Sequence, residues 1–246
     1  MLDSTRKITD RLAGVSSSLP RNTQEVFDVL DEISRLSDPS AVVGVLPLIW
    51  SAYKDDRSSV DMTMESYKRE GNLTIAERYP IPELVRSRAI GIAADLVAAG
   101  QLHEYPELDR ELRCCGYGSF GGSRRWQRWI EYAPPDLSDM PEVPERVWLL
   151  GIMACNNNGY RREAPLRQLS HYFDGNELRF LLWRTADSVV EVRTIAREAV
   201  LKRVTMDDYV PYFEKMLPLL VRMDRAGRVD LTDLTFLIRQ TVQREL

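Results

Sequence analysis

The residue types best suited to chemistry lie in one arginine- and tryptophan-rich run. Its members are Arg124, Arg125, Trp126, Arg128 and Trp129. A guanidinium group can clamp a carboxylate or a phosphate, and an indole ring can stack on a base or fill a pocket on a protein. This combination predicts a partner-binding site. The alternative is a helix that turns its tryptophans into the core and leaves its arginines in solvent.

A second candidate lies in the segment from Asn156 to Arg162, where the letters NNNGYRR separate two apolar helical stripes. Clustered asparagine and glycine residues predict a turn. Tyr160 and Arg161 would then lie on an exposed connection, where they can contact a partner. The alternative is a plain helical-hairpin turn in which Gly159 supplies a positive φ.

The sequence gives little evidence for catalysis, metal binding or nucleotide binding. His103 and His171 are the two histidines, and neither stands near a recognisable nucleophile. Cys114, Cys115 and Cys155 are odd in number and lack CxxC spacing, so we predict reduced thiols and no metal site. The glycine-rich GYGSFGG lacks the Gly-Lys-Ser/Thr that a P-loop needs. We therefore assign no catalytic residue, no metal ligand and no cofactor, which favours a protein that is not an enzyme.

Charge and composition narrow the classes of partner. The 246-residue chain carries a formal net charge of -4 and a pI near 5.4, whereas proteins that bind nucleic acid over most of their surface usually carry a basic excess. Residues 1–20 lack the apolar core of a signal peptide, and no stretch is long and apolar enough to cross a membrane. We expect a cytoplasmic protein without a membrane partner, and we predict nothing about its oligomeric state.

The candidate residues must be positioned by helices, and the clearest helical signal runs from Leu178 to Val204. Two stripes of apolar residues, each recurring every three or four positions, predict two amphipathic helices in this stretch. The stripes are Leu178, Leu181, Leu182 and Thr185, then Val192, Ile195, Ala196, Ala199 and Val200. Between them, Ser188 and Glu191 have the spacing of a capping box, which predicts where the second helix begins.

The same stretch resembles a HEAT repeat. The pattern is an apolar first helix, a turn that contains aspartate, and a second helix that opens with Val-Arg and continues with small apolar residues. The matching positions are Asp187, Val192, Arg193, Ala196 and Ala199. The resemblance implies an α-solenoid in which arginines at the start of second helices pair with acids of the turns. It implies architecture more than function, because this fold hosts many functions.

Weaker copies of the unit are visible elsewhere in the chain. Residues 23–53 carry two stripes separated by Asp38-Pro39, and residues 82–100 repeat the Val-Arg opening. Residues 144–173 align with the clearest unit at an offset of 30 for the first helix and 31 for the second. These copies predict a stack of helical hairpins.

Two regions depart from the repeat. Residues 101–142 are rich in glycine, proline and aromatic residues and fit no repeat, so we predict an irregular insertion there. Residues 207–246 carry two further stripes, which predict capping helices. The predicted fold is therefore all-α: one domain over residues 1–246, built as a right-handed α-solenoid of about five HEAT-like hairpins.

A stack of helical hairpins makes an extended surface without a catalytic constellation. We therefore predict a non-enzymatic scaffold or adaptor that binds a protein partner through the groove of its second helices and through the arginine- and tryptophan-rich insertion. The alternative is a nucleic-acid-binding protein, since some HEAT-like solenoids resemble DNA glycosylases. No residue here matches a glycosylase catalytic motif, so none is assigned. A third hypothesis is a subunit or regulator of a larger complex.

Overall fold

A computed structural model of the chain consists of α-helices joined by turns, with no strand in the residues that it describes. These residues are 2–16, 23–36, 38–50, 83–100, 102, 105–114, 137, 143–226 and 230–243. The predicted all-α class is therefore confirmed. Two compact units divide the chain, one over residues 1–100 and 115–140 and the other over residues 101–114 and 141–246. A single continuous solenoid domain stays a prediction.

Unit 1 has four α-helices in its described part. They are α1 (Leu2–Ser16), α2 (Thr23–Ser34), α3 (Val42–Trp50) and α4 (Glu83–Ala99). A short 3-10 turn, Pro39–Ala41, leads into α3, and the Asp38 carboxylate caps it by accepting a hydrogen bond from the Ser40 amide at 3.0 Å. Helix α4 packs against both α2 and α3. The apolar stripe of α2 is fully buried in the core of this unit.

Unit 2 has seven α-helices in its described part. They are α5 (Tyr105–Cys114), α6 (Arg146–Met153), α7 (Gly159–Leu169), α8 (Leu178–Arg184), α9 (Val190–Val204), α10 (Val210–Ala226) and α11 (Thr232–Gln243). Helices α6 to α11 form three successive pairs whose members pack on each other. We call α6, α8 and α10 the first helices, and α7, α9 and α11 the second helices. Helix α9 packs against both α7 and α11, while α8 packs against α10.

The prediction of an irregular insertion over residues 101–142 is wrong for residues 105–114, which form α5. Tyr105, Leu108 and Leu112 are buried and lie at helical spacing, so this short segment has an apolar stripe of its own. Pro106 lies in the first turn, where the missing amide hydrogen costs nothing. The other residues of the predicted insertion are outside the described part, apart from Leu102 and Leu137.

The predicted capping box at the start of α9 is also wrong. Val189 is the N-cap, and no side chain caps the helix in the expected way. Instead, the Asp187 carboxylate accepts a hydrogen bond from the Val189 amide at 3.0 Å, and Ser188 is exposed. An aspartate side chain can accept a hydrogen bond from the backbone amide two residues later, which makes an Asx turn. This turn forms here in place of the capping box that would begin one residue later.

Gly159 has a different role from the one predicted. Gly175 is the residue with positive φ among those described, so Gly159 does not supply one. A Cβ atom at Gly159 would lie 2.4 Å from Val189 Cγ2. Glycine is therefore needed because the first turn of α7 lies against the turn that precedes α9.

We expect Gly159→Ala to destabilise the protein by about 1–2 kcal/mol, since valine is stiff at χ1 and cannot swing its methyl group away. Val189→Ala in the same chain should recover most of the loss, as measured by urea unfolding in a double-mutant cycle. Gly91→Ala is the matched control, because nothing lies within 4 Å of its Cβ position in α4, and alanine there should stabilise by about 0.5–1 kcal/mol. Equal effects at the two glycines would contradict the close contact.

Candidate functional site

Two of the predicted partner-binding residues lie in the described part of the chain. Tyr160, the second residue of α7, is 86% exposed, and the adjacent Arg161 is half-buried. The Asn158 side chain caps α7 by accepting a hydrogen bond from the Tyr160 amide at 3.0 Å. Arg124, Arg125, Trp126, Arg128 and Trp129 lie outside the described residues, so their role stays a prediction.

A second set of charged side chains, absent from the sequence-based site, forms a buried arginine cluster in unit 2. Its members are Asp109, Arg113, Arg162, Arg184 and Asp187. Asp187 stands at the centre, with Oδ1 2.6 Å from Arg162 Nη2 and Oδ2 3.2 Å from Arg184 Nη1. Arg113 lies 3.3 Å from Asp187 and 3.0 Å from Asp109, which also pairs with Arg184. The side chain of Arg113 is 26% exposed, whereas the other four are almost completely buried.

The two carboxyl groups of this cluster are held in the charged form. Burial alone would raise the pKa of Asp109 and of Asp187, but the adjacent Arg184 and the other arginines outweigh it, and the pKa of each carboxyl is lowered. Three guanidinium groups face two carboxylates, so the cluster carries one more positive than negative charge. Loss of Asp187 would leave the buried Arg162 with no acidic partner among the described residues, whereas Arg113 and Arg184 would keep Asp109.

Helix α5 contacts the first helices through its side chains. The Tyr105 ring packs edge-on against Phe180 and Trp183 of α8, with centroids 5.6 Å and 6.0 Å away. Glu107 forms an ion pair with Arg222 of α10. The side of unit 2 that carries the first helices is therefore covered in part by the chain itself.

Cys155 lies beneath α5 and has no feature of a reactive thiol. It is buried and free, and its Sγ is 3.4 Å from the Tyr105 hydroxyl. Burial raises the pKa of the thiol to about 11. Because the thiolate is the nucleophilic form, this cysteine packs as a small apolar residue at neutral pH.

A smaller buried group, the Glu177 cluster, joins the second helical pair to the third. Glu177 Oε1 is 2.7 Å from Arg203 Nε and accepts a hydrogen bond from the Tyr209 hydroxyl at 2.7 Å. Arg203 also donates to the carbonyl of Ala199 at 2.7 Å. Glu177 Oε2 is buried without a hydrogen-bond partner, and burial raises the pKa of this carboxyl despite its two donors.

The turns of the first two pairs repeat the same polar contacts 31 residues apart. Asn156 accepts from the Asn158 amide at 2.9 Å, just as Asp187 accepts from the Val189 amide. Arg162 Nη1 donates to the Asn156 carbonyl at 2.8 Å, and Arg193 Nη1 donates to the Asp187 carbonyl at 2.6 Å. Helices α7 and α9 begin 31 residues apart as well. The sequence had suggested this offset for the second helices alone.

Both clusters use their charged groups to hold helices together, and neither offers a free nucleophile beside a base. Within the ranges that the structure describes, no group of three histidine, cysteine, aspartate or glutamate side chains is arranged to hold a metal ion. No described helix is long and apolar enough to cross a membrane. No protein-family model, curated protein sequence or solved structure matches the chain.

Proposed function

We propose that this chain is a HEAT-like helical-repeat scaffold that binds a protein partner on the second helices of unit 2, aided by the arginine- and tryptophan-rich run around Arg124. The proposal includes a cytoplasmic location, with which a free buried cysteine is compatible. It treats the three helical pairs as consecutive repeats of a right-handed α-solenoid. Support comes from the polar contacts that recur in the turns of the first two pairs.

The observation that carries the proposal is the uneven distribution of exposed apolar side chains. In the described part of unit 2, five large apolar side chains are exposed on second helices: Tyr160, Val190, Leu201, Phe236 and Leu237. Val221 is the one on a first helix, and Phe173 lies in a loop. Scattered exposed apolar residues are ordinary, but their concentration on one set of helices favours an interaction surface.

The first-helix side of unit 2 is partly covered, which also favours the second helices as the partner surface. Helix α5 already occupies part of the first-helix side, through Tyr105 against α8 and Glu107 against Arg222 of α10. A partner therefore has more free surface on the second helices. Aromatic and arginine side chains such as Tyr160 and Arg161 are the types that contribute most to protein interfaces.

Site-specific photocrosslinking tests this proposal. A photoreactive phenylalanine at position 160 should crosslink to one defined protein in stoichiometric yield, whereas the same residue at Glu214, which is exposed on α10, should crosslink weakly or not at all. The triple variant Arg124→Ala, Arg125→Ala and Arg128→Ala should keep its melting temperature and capture less of the partner protein. Equal yields at positions 160 and 214 would contradict a partner surface on the second helices.

A further inference from the structure

Arg193 lacks, among the described residues, the ion pair that Arg162 forms. The two occupy the same place in successive pairs, each donating from Nη1 to a carbonyl six residues earlier. Arg162 then extends Nη2 to the carboxylate of Asp187 in the next pair at 2.6 Å. Arg193 forms no ion pair in the described part of the chain. In the described part of the chain, the guanidinium group of Arg193 therefore has a backbone carbonyl as its acceptor and no carboxylate.

A second arginine without an ion pair among the described residues, Arg197, lies one turn further along α9. It lies near the exposed Asp230, whose carboxyl pKa is lowered by hydrogen bonds from Thr232 and, to a smaller extent, by the charge of Arg197. Arg197 donates to the carbonyls of Thr185, at 3.3 Å, and Asp230, at 2.8 Å, and it too forms no ion pair among the described residues. Residues four apart lie on the same face of a helix, and like charges there repel. Both residues are half-buried, and their guanidinium groups donate to backbone carbonyls. They are therefore fixed in place before any anion binds, which lowers the entropic cost of binding one.

Two exposed apolar side chains, Tyr160 and Val190, lie in the first turns of the second helices α7 and α9. Val190 precedes Arg193 by one turn of α9 and is 57% exposed, and the contact between Gly159 and Val189 brings Tyr160 to the same end of the second helices. Glu191 and Glu198 are also exposed on α9. Their carboxylates would repel a continuous phosphate backbone, whereas a protein segment can place its acidic side chains between them.

We propose that Arg193 and Arg197 bind carboxylates of an acidic segment of a protein partner, whose apolar side chains pack on Val190 and Tyr160. This inference rests on the proposed function and names the chemistry that the second helices recognise. Each arginine takes one carboxylate, as Arg162 takes that of Asp187. Hydrogen bonds between a guanidinium group and a carboxylate are stronger than those between neutral groups.

Fluorescence anisotropy with defined probes tests the inference on the full chain. The probe is a short labelled peptide of alternating leucine and glutamate, and the control peptide has glutamine in place of glutamate. The acidic peptide should bind at low salt and the control at least about tenfold more weakly, a difference of about 1.4 kcal/mol. Arg193→Glu should weaken binding of the acidic peptide by about tenfold or more, and Arg193→Lys should weaken its binding less.

Arg225→Glu is the matched control, because Arg225 is an exposed arginine of the same unit on α10. It should change binding by less than about twofold, since a charge free in solvent contributes little. Circular dichroism melting must show each variant folded, and Arg193→Lys keeps the test valid if the glutamate variant unfolds. No binding of the acidic peptide, or equal losses at positions 193 and 225, would overturn the inference.

Two further outcomes separate this inference from the function on which it rests. The first outcome concerns a short thymidine oligonucleotide. If it binds more tightly than the acidic peptide, and if Arg193→Glu abolishes that binding, the arginines bind phosphate and the proposal of a protein carboxylate is wrong. A partner that still crosslinks to position 160 at full yield in Arg193→Glu would refute the arginine site and leave the scaffold function standing.

Discussion

Replacement of Asp187 by alanine is expected to destabilise unit 2 by about 3–5 kcal/mol. Asp187 pairs with three arginines, Arg113, Arg162 and Arg184, and accepts a hydrogen bond from the Val189 amide. Removing one partner of a buried ion pair leaves a charge that neither water nor protein compensates. Urea unfolding followed by circular dichroism should show the loss as a lower transition midpoint.

The control for this prediction is Asp208→Ala, because Asp208 is exposed in the 3-10 turn before α10. Its effect should stay within about 0.5 kcal/mol. The pKa of Asp187 is lowered in the folded protein, so its contribution is present above the ordinary aspartate pKa and is lost as the pH falls through the folded value. The difference between the wild type and Asp187→Ala should therefore shrink in acid. A small and pH-independent loss would contradict a central role for Asp187.

Replacement of Arg203 by alanine should also lower the free energy of unfolding by about 3–5 kcal/mol. Here the group left without a partner is an anion, whereas in Asp187→Ala it is a cation. Arg203 and Glu177 are both fully buried, so the variant leaves a carboxylate without its cation. Burial already raises the pKa of Glu177, and loss of Arg203 raises it further. Relative to the wild type, the variant's stability should fall as the pH rises from the pKa of Glu177 in the folded wild type towards the higher pKa in the folded variant. In that range the unfolded state and the folded wild type have released the proton that the folded variant still holds.

Glu177→Gln in the Arg203→Ala background isolates this charge effect. The amide has nearly the same shape but cannot ionise, so the double variant should recover about 1–3 kcal/mol at neutral pH and lose the pH dependence of the single variant. Unfolding measured at several pH values checks both points. A single variant whose stability loss does not vary with pH would show that Arg203 acts by packing alone.

The helical stripes could be predicted because a helix that buries one face needs an apolar residue every three or four positions, and this spacing is visible in the sequence. Leu178, Leu181 and Leu182 are buried as predicted. Helix α5 had the same kind of signal in Tyr105, Leu108 and Leu112, but the glycine- and proline-rich residues that follow hid it. A proline in the second position of α5 is typical of a helix start, and this was the usable clue.

The buried clusters could not be predicted from the sequence in the same way. Arginine and aspartate are usually exposed, so their residue types argue against burial. Asp109 and Arg184 are 75 positions apart in the sequence, and no local pattern links them. The exposed position of Tyr160 followed from the turn signal of the three asparagines, whereas Arg161, which the same signal placed on the surface, is half-buried. That Arg193 lacks an ion pair among the described residues appears only when its contacts are compared with those of Arg162.

The central claim, that the chain binds a protein partner, is tested most directly by the ratio of absorbance at 260 and 280 nm after purification from the native source at low salt, with and without nuclease. We expect a ratio typical of pure protein, unchanged by nuclease, and a second protein in stoichiometric amount. The companion should dissociate from Arg193→Glu. A high ratio that nuclease lowers, with no protein companion, would contradict the account and identify nucleic acid as the ligand.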